Sequence, residues 1–272
     1  MKPLISVLNA VFDVVLAPLG HRLAALDLVL WPALAGVVAL LVYKRVSNQA
    51  GIAAAKNGIQ VHLLEMMLYR DNLVGVLVAT ANALKQNALY VGNNILPMLV
   101  MMPPMTAVLV EIVANYAYSP LPVDARPLLE GTMAEGATVR AVDVTLDLPP
   151  GLSVDAGPVS TPDGTAAWRL RADAPGDYVV TVHAGAESQE KGFAFGGEPR
   201  KVPVMRTNTW EAILYPGEEA LPGDSAFETI KTRCPDRELP FFPDGEGGVL
   251  AWFFGFSLLA GFALKGPLGV EI

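Results

Sequence analysis

The chain has a single cysteine, Cys234, in 272 residues, which rules out an internal disulfide. Cysteine usage therefore says nothing about compartment. Histidines are few, and the three, His21, His62 and His183, fall on different segments. There is no Cys-x-x-Cys, no phosphate-binding glycine loop and no nucleophile elbow. The sequence accordingly predicts no enzyme activity, no catalytic residue, no cofactor and no metal. Charge is sparse too, at 17% of residues against 52% hydrophobic. The net charge of −8 and the lack of a basic patch argue against a nucleic-acid partner. Glu218-Glu219 and Asp224 come nearest to a cation site, and read instead as a solvated acidic loop.

What the chain has in plenty is apolar sequence in long runs. A membrane-spanning helix needs roughly 20 mostly apolar residues, about 17 at the low end. Residues 95–113 meet that length with Glu111 as their one charge, and residues 247–264 carry none. Residues 28–43 are extended by 23–26, with Asp27 as the interruption. An earlier run, 4–19, is broken by Asn9, Asp13 and Pro18. It does not fit a cleavable signal. Ile5, Leu8, Val11, Phe12, Val15 and Leu16 recur there at helical spacing, which predicts an interfacial helix lying on the membrane. A fourth, poorly formed span is the alternative.

The charges orient the spans. Lys44, Arg45, Lys56, Arg70 and Lys85 lie between the first two, against Glu65 and Asp71. Short loops rich in Lys and Arg stay cytoplasmic. Residues 116–246 form a long, acid-rich loop, and long loops translocate largely regardless of charge. The predicted topology places the N-terminus outside, the short loop inside, the long loop outside and the C-terminus inside. Lys265 after the last span agrees, and Trp31, Tyr43, Tyr116, Tyr118 and Trp252 sit where an aromatic belt belongs.

Residues 47–69 read as an amphipathic helix, Arg70-Asp71-Asn72 as a turn, and 73–89 as a second helix, making a helical hairpin. Asn82, Gln86 and Asn93 follow at steps of four and seven, which keeps them on one helix face. Amides at a span should face protein or a water-filled cavity. They either glue helices together or form the wet wall of a cytosol-facing groove. Pro97, Pro103 and Pro104 interrupt the second span beside Met98, Met101 and Met102. Methionine adapts to varied apolar partners, although it also fills gaps in kinked bundles. Lys44 and Arg45 are either topology anchors or a positive charge at a groove mouth.

The acidic loop changes pattern. Residues 138–148, 167–172, 177–184 and 191–195 read as strands separated by Pro/Gly turns, which suggests a sandwich of immunoglobulin type (Ig-like). Residues 214–245 are Pro/Gly-rich and read as a return to the membrane.

An outside N-terminus, a span ending in basic residues, a cytoplasmic hairpin, a second span, an outside loop and a third span resemble the core plan of the YidC/Oxa/Get insertase superfamily. Tyr43-Lys44-Arg45-Val46-Ser47-Asn48-Gln49, His62-Leu63-Leu64-Glu65-Met66-Met67-Leu68-Tyr69-Arg70-Asp71, Pro97-Met98-Leu99-Val100 and the ending Phe262-Ala263-Leu264-Lys265-Gly266-Pro267-Leu268-Gly269-Val270-Glu271-Ile272 are similar to a bacterial membrane-protein family. Its members resemble the insertase subunit of the endoplasmic reticulum membrane complex and carry an outer β-domain. The resemblance implies a bacterial inner-membrane protein that helps insert client transmembrane segments through a polar, cytosol-open groove. Lys44, Arg45, Asn82, Gln86, Asn93, Met98, Met101 and Met102 would be its client-contact residues. The alternative is an accessory subunit of a larger membrane complex, docking through the β-domain. In residue numbers, the expected plan is an interfacial helix at 1–22, spans at 23–45, 93–117 and 247–264, and a cytoplasmic hairpin at 46–92. A periplasmic sandwich at 118–213, a return linker at 214–246 and a cytoplasmic tail at 265–272 complete it.

Overall fold

The computed structural model describes residues 24–137 and 140–271, so the helix expected at 1–22 lies outside the described residues. The helices are α1 (Ala24–Val46), α2 (Gln49–Leu68), α3 (Leu73–Tyr116) and α4 (Gly245–Lys265). Of these, α1, α3 and α4 are long and apolar enough to cross a membrane. The chain divides into two compact units. A sheet unit comprises the described residues up to Leu28 together with those of Leu109–Trp252, and a helical unit comprises Val29–Val108 with the described residues from Phe253 onward.

In the helical unit, side-chain caps start both hairpin helices. Asn48 Oδ1 accepts the Gly51 N–H at 3.0 Å, and Asn72 Oδ1 accepts the Gly75 N–H at 3.2 Å. Each satisfies one of the donors that a helix start leaves unpaired. Residues 69–72 turn the chain where Arg70-Asp71-Asn72 predicts it. Met66 then meets Thr80, Gly58 meets Gln86, and Gly51 meets Asn93. As one number falls the other rises, so α2 and the first half of α3 run antiparallel.

α3 differs from expectation in one respect. The hairpin's second arm and the second span do not separate near residue 92; they are one helix of 44 residues. Gly92 does not stop it, because it does not take the left-handed conformation of a C-cap glycine. Helical backbone also continues through Pro97, Pro103 and Pro104. A membrane helix tolerates proline where neighbouring groups take up the freed carbonyls. At 1.5 Å per residue, α3 is about 66 Å long, roughly twice the ~30 Å thickness of a bilayer's hydrocarbon core.

In the sheet unit, eight strands among the described residues form two sheets. They are β1 (Leu128–Met133), β2 (Val144–Asp147), β3 (Leu152–Ser160), β4 (Thr165–Ala172), β5 (Gly176–Ala184), β6 (Glu187–Phe195), β7 (Met205–Thr207) and β8 (Phe227–Thr232). One sheet runs β3-β4-β1-β8-β7 and the other β2-β5-β6. The pairings between these strands are antiparallel, with Leu129 opposite Trp168, Gly131 opposite Ile230 and Val180 opposite Lys191. Alternation supplies the core. Ala166, Trp168, Leu170 and Ala172 of β4 join Phe227 and Ile230 of β8, Val180 and Val182 of β5, and Phe193 and Phe195 of β6 in one buried cluster. Residues of both sheets share it, as in a β-sandwich.

Two sequence expectations change here. The strand expected at 138–148 begins at Val144, because Ala141–Asp143 form a 3-10 turn that takes Val142 out of the ladder. The segment 214–246, read as a return linker, contains β8, which lies between β1 and β7. Phe227, Ile230 and Thr232 are buried, but a register shift between Phe227 and Thr229 breaks the two-residue period, and the Pro/Gly-rich surroundings hide the strand further.

Candidate functional site

Each predicted groove residue has a definite place in the helical unit. Asn82, Gln86 and Asn93 are half-buried on one face of α3. Ala79, Tyr90, Pro97 and Met101 continue that face. It looks onto protein. Gln86 lies against Gly58 of α2, where an added Cβ would come within 2.7 Å of its amide carbon. Asn93 lies against Gly51, and its Oδ1 accepts from Asn48 Nδ2 at 3.4 Å. The glycines of α2 therefore make room for amides of α3, the small-residue packing that brings helices close. Next to them, Tyr43 donates its hydroxyl proton to Asn94, and Asn94 Nδ2 donates to Tyr90 O at 2.7 Å. At Gln86 and Asn93, then, the amides serve helix–helix contact.

The methionines divide. Met101 packs with Leu40, Tyr43, Ile52 and Val270 in a buried cluster. Met98 and Met102, one helical turn apart, are exposed. Leu77, Leu84, Val91 and Ile95 share their face and are exposed as well. Consecutive residues rotate by about 100° on a helix, which puts this stripe opposite the amides. The feature visible in sequence was the amide spacing; the stripe behind it comes from the structure.

The basic pair also divides. Arg45 is exposed, while Lys44 Nζ donates to Leu268 O at 2.5 Å. That carbonyl belongs to the C-terminal tail, which folds back on the helical unit. The Glu271 N–H donates to Gln49 Oε1 at 2.6 Å, Glu271 and Lys56 pair at 3.3 Å, and Val270 is buried beside Ile52. Lys44 is thus a latch for the tail. Val270→Asp should release it. Losing one buried Val side chain costs about 1.5 kcal/mol or more, so the open fraction of the tail should rise at least roughly tenfold. Carboxypeptidase trimming, followed by intact-mass spectrometry, reads this directly.

The sheet unit holds a second polar cluster, around the acids that interrupt the apolar helices α1 and α3. Tyr116 donates its hydroxyl proton to Asp27 Oδ2 at 2.7 Å, and Lys201 Nζ donates to Glu111 Oε2 at 3.0 Å. The Arg237 guanidinium lies 5.5 Å from the centre of the Tyr116 ring. Asp27 and Glu111 are both fully buried. Ionisable residues within membrane segments are costly and usually paired, and here each acid meets a donor. The sequence signal was one acid in each otherwise apolar run.

Glu218 corrects the reading of the acidic loop. It accepts from the buried ammonium of Lys191, and its Oε1 takes the Gly192 N–H at 2.7 Å. The cation it serves is a lysine of β6. Comparison with protein-family models, curated proteins and solved structures finds no match.

Proposed function

We propose that this chain is an insertase-like, non-enzymatic helper of membrane-protein insertion or assembly. The observation that carries this reading is the exposed stripe on α3, Leu77-Leu84-Val91-Ile95-Met98-Met102. It covers 25 steps of one helix, about 38 Å at 1.5 Å per residue, longer than the ~30 Å hydrocarbon core. A single apolar track therefore continues from a membrane-spanning segment into the hairpin arm. A hydrophobic client segment could travel along it without leaving apolar contact. The adaptable methionines stand at its membrane end, and Arg45 is exposed where α1 ends. In this reading the protein sits in a bacterial inner membrane, with the hairpin and tail cytoplasmic and the sandwich, read as Ig-like, periplasmic.

Photo-crosslinking amino acids at Leu84 and Met98 test it. Both should capture a nascent transmembrane segment during translation, whereas a crosslinker at the inward-facing Ala79 should capture α2. No nascent chain at either position, with client insertion unchanged in depleted membranes, would overturn the proposal. The accessory-subunit reading is favoured by Gln86 and Asn93, whose amides are engaged within the hairpin. It expects stoichiometric co-purification with fixed partners and crosslinks from the stripe to those partners.

A further inference from the structure

The sheet unit carries an exposed apolar patch with no role in the sandwich core. Trp210, Ile213 and Leu214 lie on the 3-10 turn Trp210–Leu214 that follows β7, and all three are exposed. Thr209 holds the start of this turn by accepting the Glu211 N–H at 3.3 Å. Phe241 is 96% exposed and Phe242 is partly so, just before α4 begins at Gly245. Phe241 is also the one non-glycine residue described with a positive φ, 68°. The left-handed conformation is unfavourable for a bulky residue, yet it presents this ring to the surroundings.

The position of the patch identifies what covers it. Leu214 and Tyr215 line a small pocket with Val113 and Ala114, residues of the last turn of α3. Phe242 makes an edge contact with Trp252 in α4, at 5.2 Å between ring centres. Tyr118, two residues past α3, donates to Glu246 in the first turn of α4. The patch thus lies level with the ends of two helices that can span a membrane. At that level a bilayer presents its headgroup region, where Trp and other aromatic side chains with one apolar and one wet side prefer to sit. We propose that the sheet unit is seated on the phospholipid headgroup layer through Trp210, Ile213, Leu214, Phe241 and Phe242. The occupant is a lipid interface, continuous with the lipid around α3 and α4, and the proposal rests on those helices spanning a membrane.

Spin labels on single introduced cysteines in nanodiscs test it. Cys234 is buried, and burial pushes its thiol up to about 11, so it labels slowly at neutral pH. W210C and F241C should each show an oxygen-to-NiEDDA accessibility ratio several-fold above V159C. Val159 is exposed on β3, the sheet edge four strands from β7, about 19 Å away at the usual strand spacing. L258C, exposed within α4, is the membrane control. An aqueous signal at Trp210 and Phe241 with a lipid signal at Leu258 overturns the proposal alone. An aqueous signal at all three overturns the membrane reading with it. Labels at Trp210 and Phe241 shielded from both reagents mean a protein cover, a second copy or another chain, and also overturn it.

Discussion

Glu218→Ala should reduce the hydrogen-exchange protection of β6 by roughly two to four decades. The Lys191 side chain is fully buried and that of Glu218 is 15% exposed. The ammonium donates to Gly192 O at 3.0 Å, to Pro203 O at 2.9 Å, and to the Glu218 carboxylate. The alanine variant leaves two carbonyls around a buried cation and removes its counter-charge. Breaking a buried pair from one side costs about 3–5 kcal/mol, and every 1.4 kcal/mol is about tenfold in an equilibrium. The loss should centre on β6 and on the connection through Pro203, because Glu218 also holds the Gly192 N–H. Lys191→Met should cost less, since the more accessible Glu218 can regain water. The double variant Lys191→Met/Glu218→Gln should be more stable than Glu218→Ala. Exchange measured by mass spectrometry on the full chain in nanodiscs distinguishes the three. A loss below tenfold in Glu218→Ala would show that the pair does not hold this part of the sandwich.

The pH dependence follows from the same contact. Burial lowers the Lys191 pKa below the ordinary lysine value of 10.5, and Glu218 acts against that. A lysine with a depressed value in the folded state holds its proton more weakly than it does in the unfolded chain. It therefore costs stability at low and neutral pH, and the cost is relieved as pH rises through the folded value toward 10.5. Removing Glu218 moves the folded value further down and widens that window. The exchange deficit of Glu218→Ala should consequently shrink between neutral pH and about pH 10.

Lys191 also shows where sequence reading ends. On a strand it shares a side with Phe193 and Phe195, so its inward direction is visible from parity. Its partner, 27 residues away, is not. Tyr116 and Lys201 likewise meet Asp27 and Glu111 across 89 and 90 residues. Long apolar runs and a polar turn are local signals, and they mark the membrane-capable helices and the bend at Arg70-Asp71-Asn72. Strands with clean alternation, such as β4 and β5, are local signals too. β3 loses its alternation because it is an edge strand whose register shifts twice. The amide spacing on α3 reveals a common face, but a period cannot say whether α2, water or lipid lies opposite. That question decides between glue and groove, and it turns on Gly51 and Gly58, which are unremarkable in the sequence.

Gly36→Leu should leave little folded protein, and even Gly36→Ala should lower the unfolding temperature in detergent. In the helical unit, a Cβ on Gly36 would lie 2.3 Å from Ser257 O and 2.8 Å from its Cα. These are backbone atoms of α4, so no rotamer change can make room. Between membrane helices the hydrophobic effect contributes little, and association depends on close packing around small residues. Overpacking a core usually costs about 1–3 kcal/mol when side chains can adjust. Here α1 and α4 must move apart, so alanine should fall in the upper part of that range and leucine should exceed it. Gly255 of α4 is the matched control, because a Cβ there meets nothing within 4 Å. Gly255→Ala should be neutral or stabilise by about 0.5–1 kcal/mol, the helical advantage of alanine over glycine. The same chemical change is thus expected to act with opposite sign at two positions of one helix pair. Propensity alone predicts stabilisation at both, so a Gly36→Ala protein that melts no earlier than the parent would mean that α1 and α4 do not depend on this close contact.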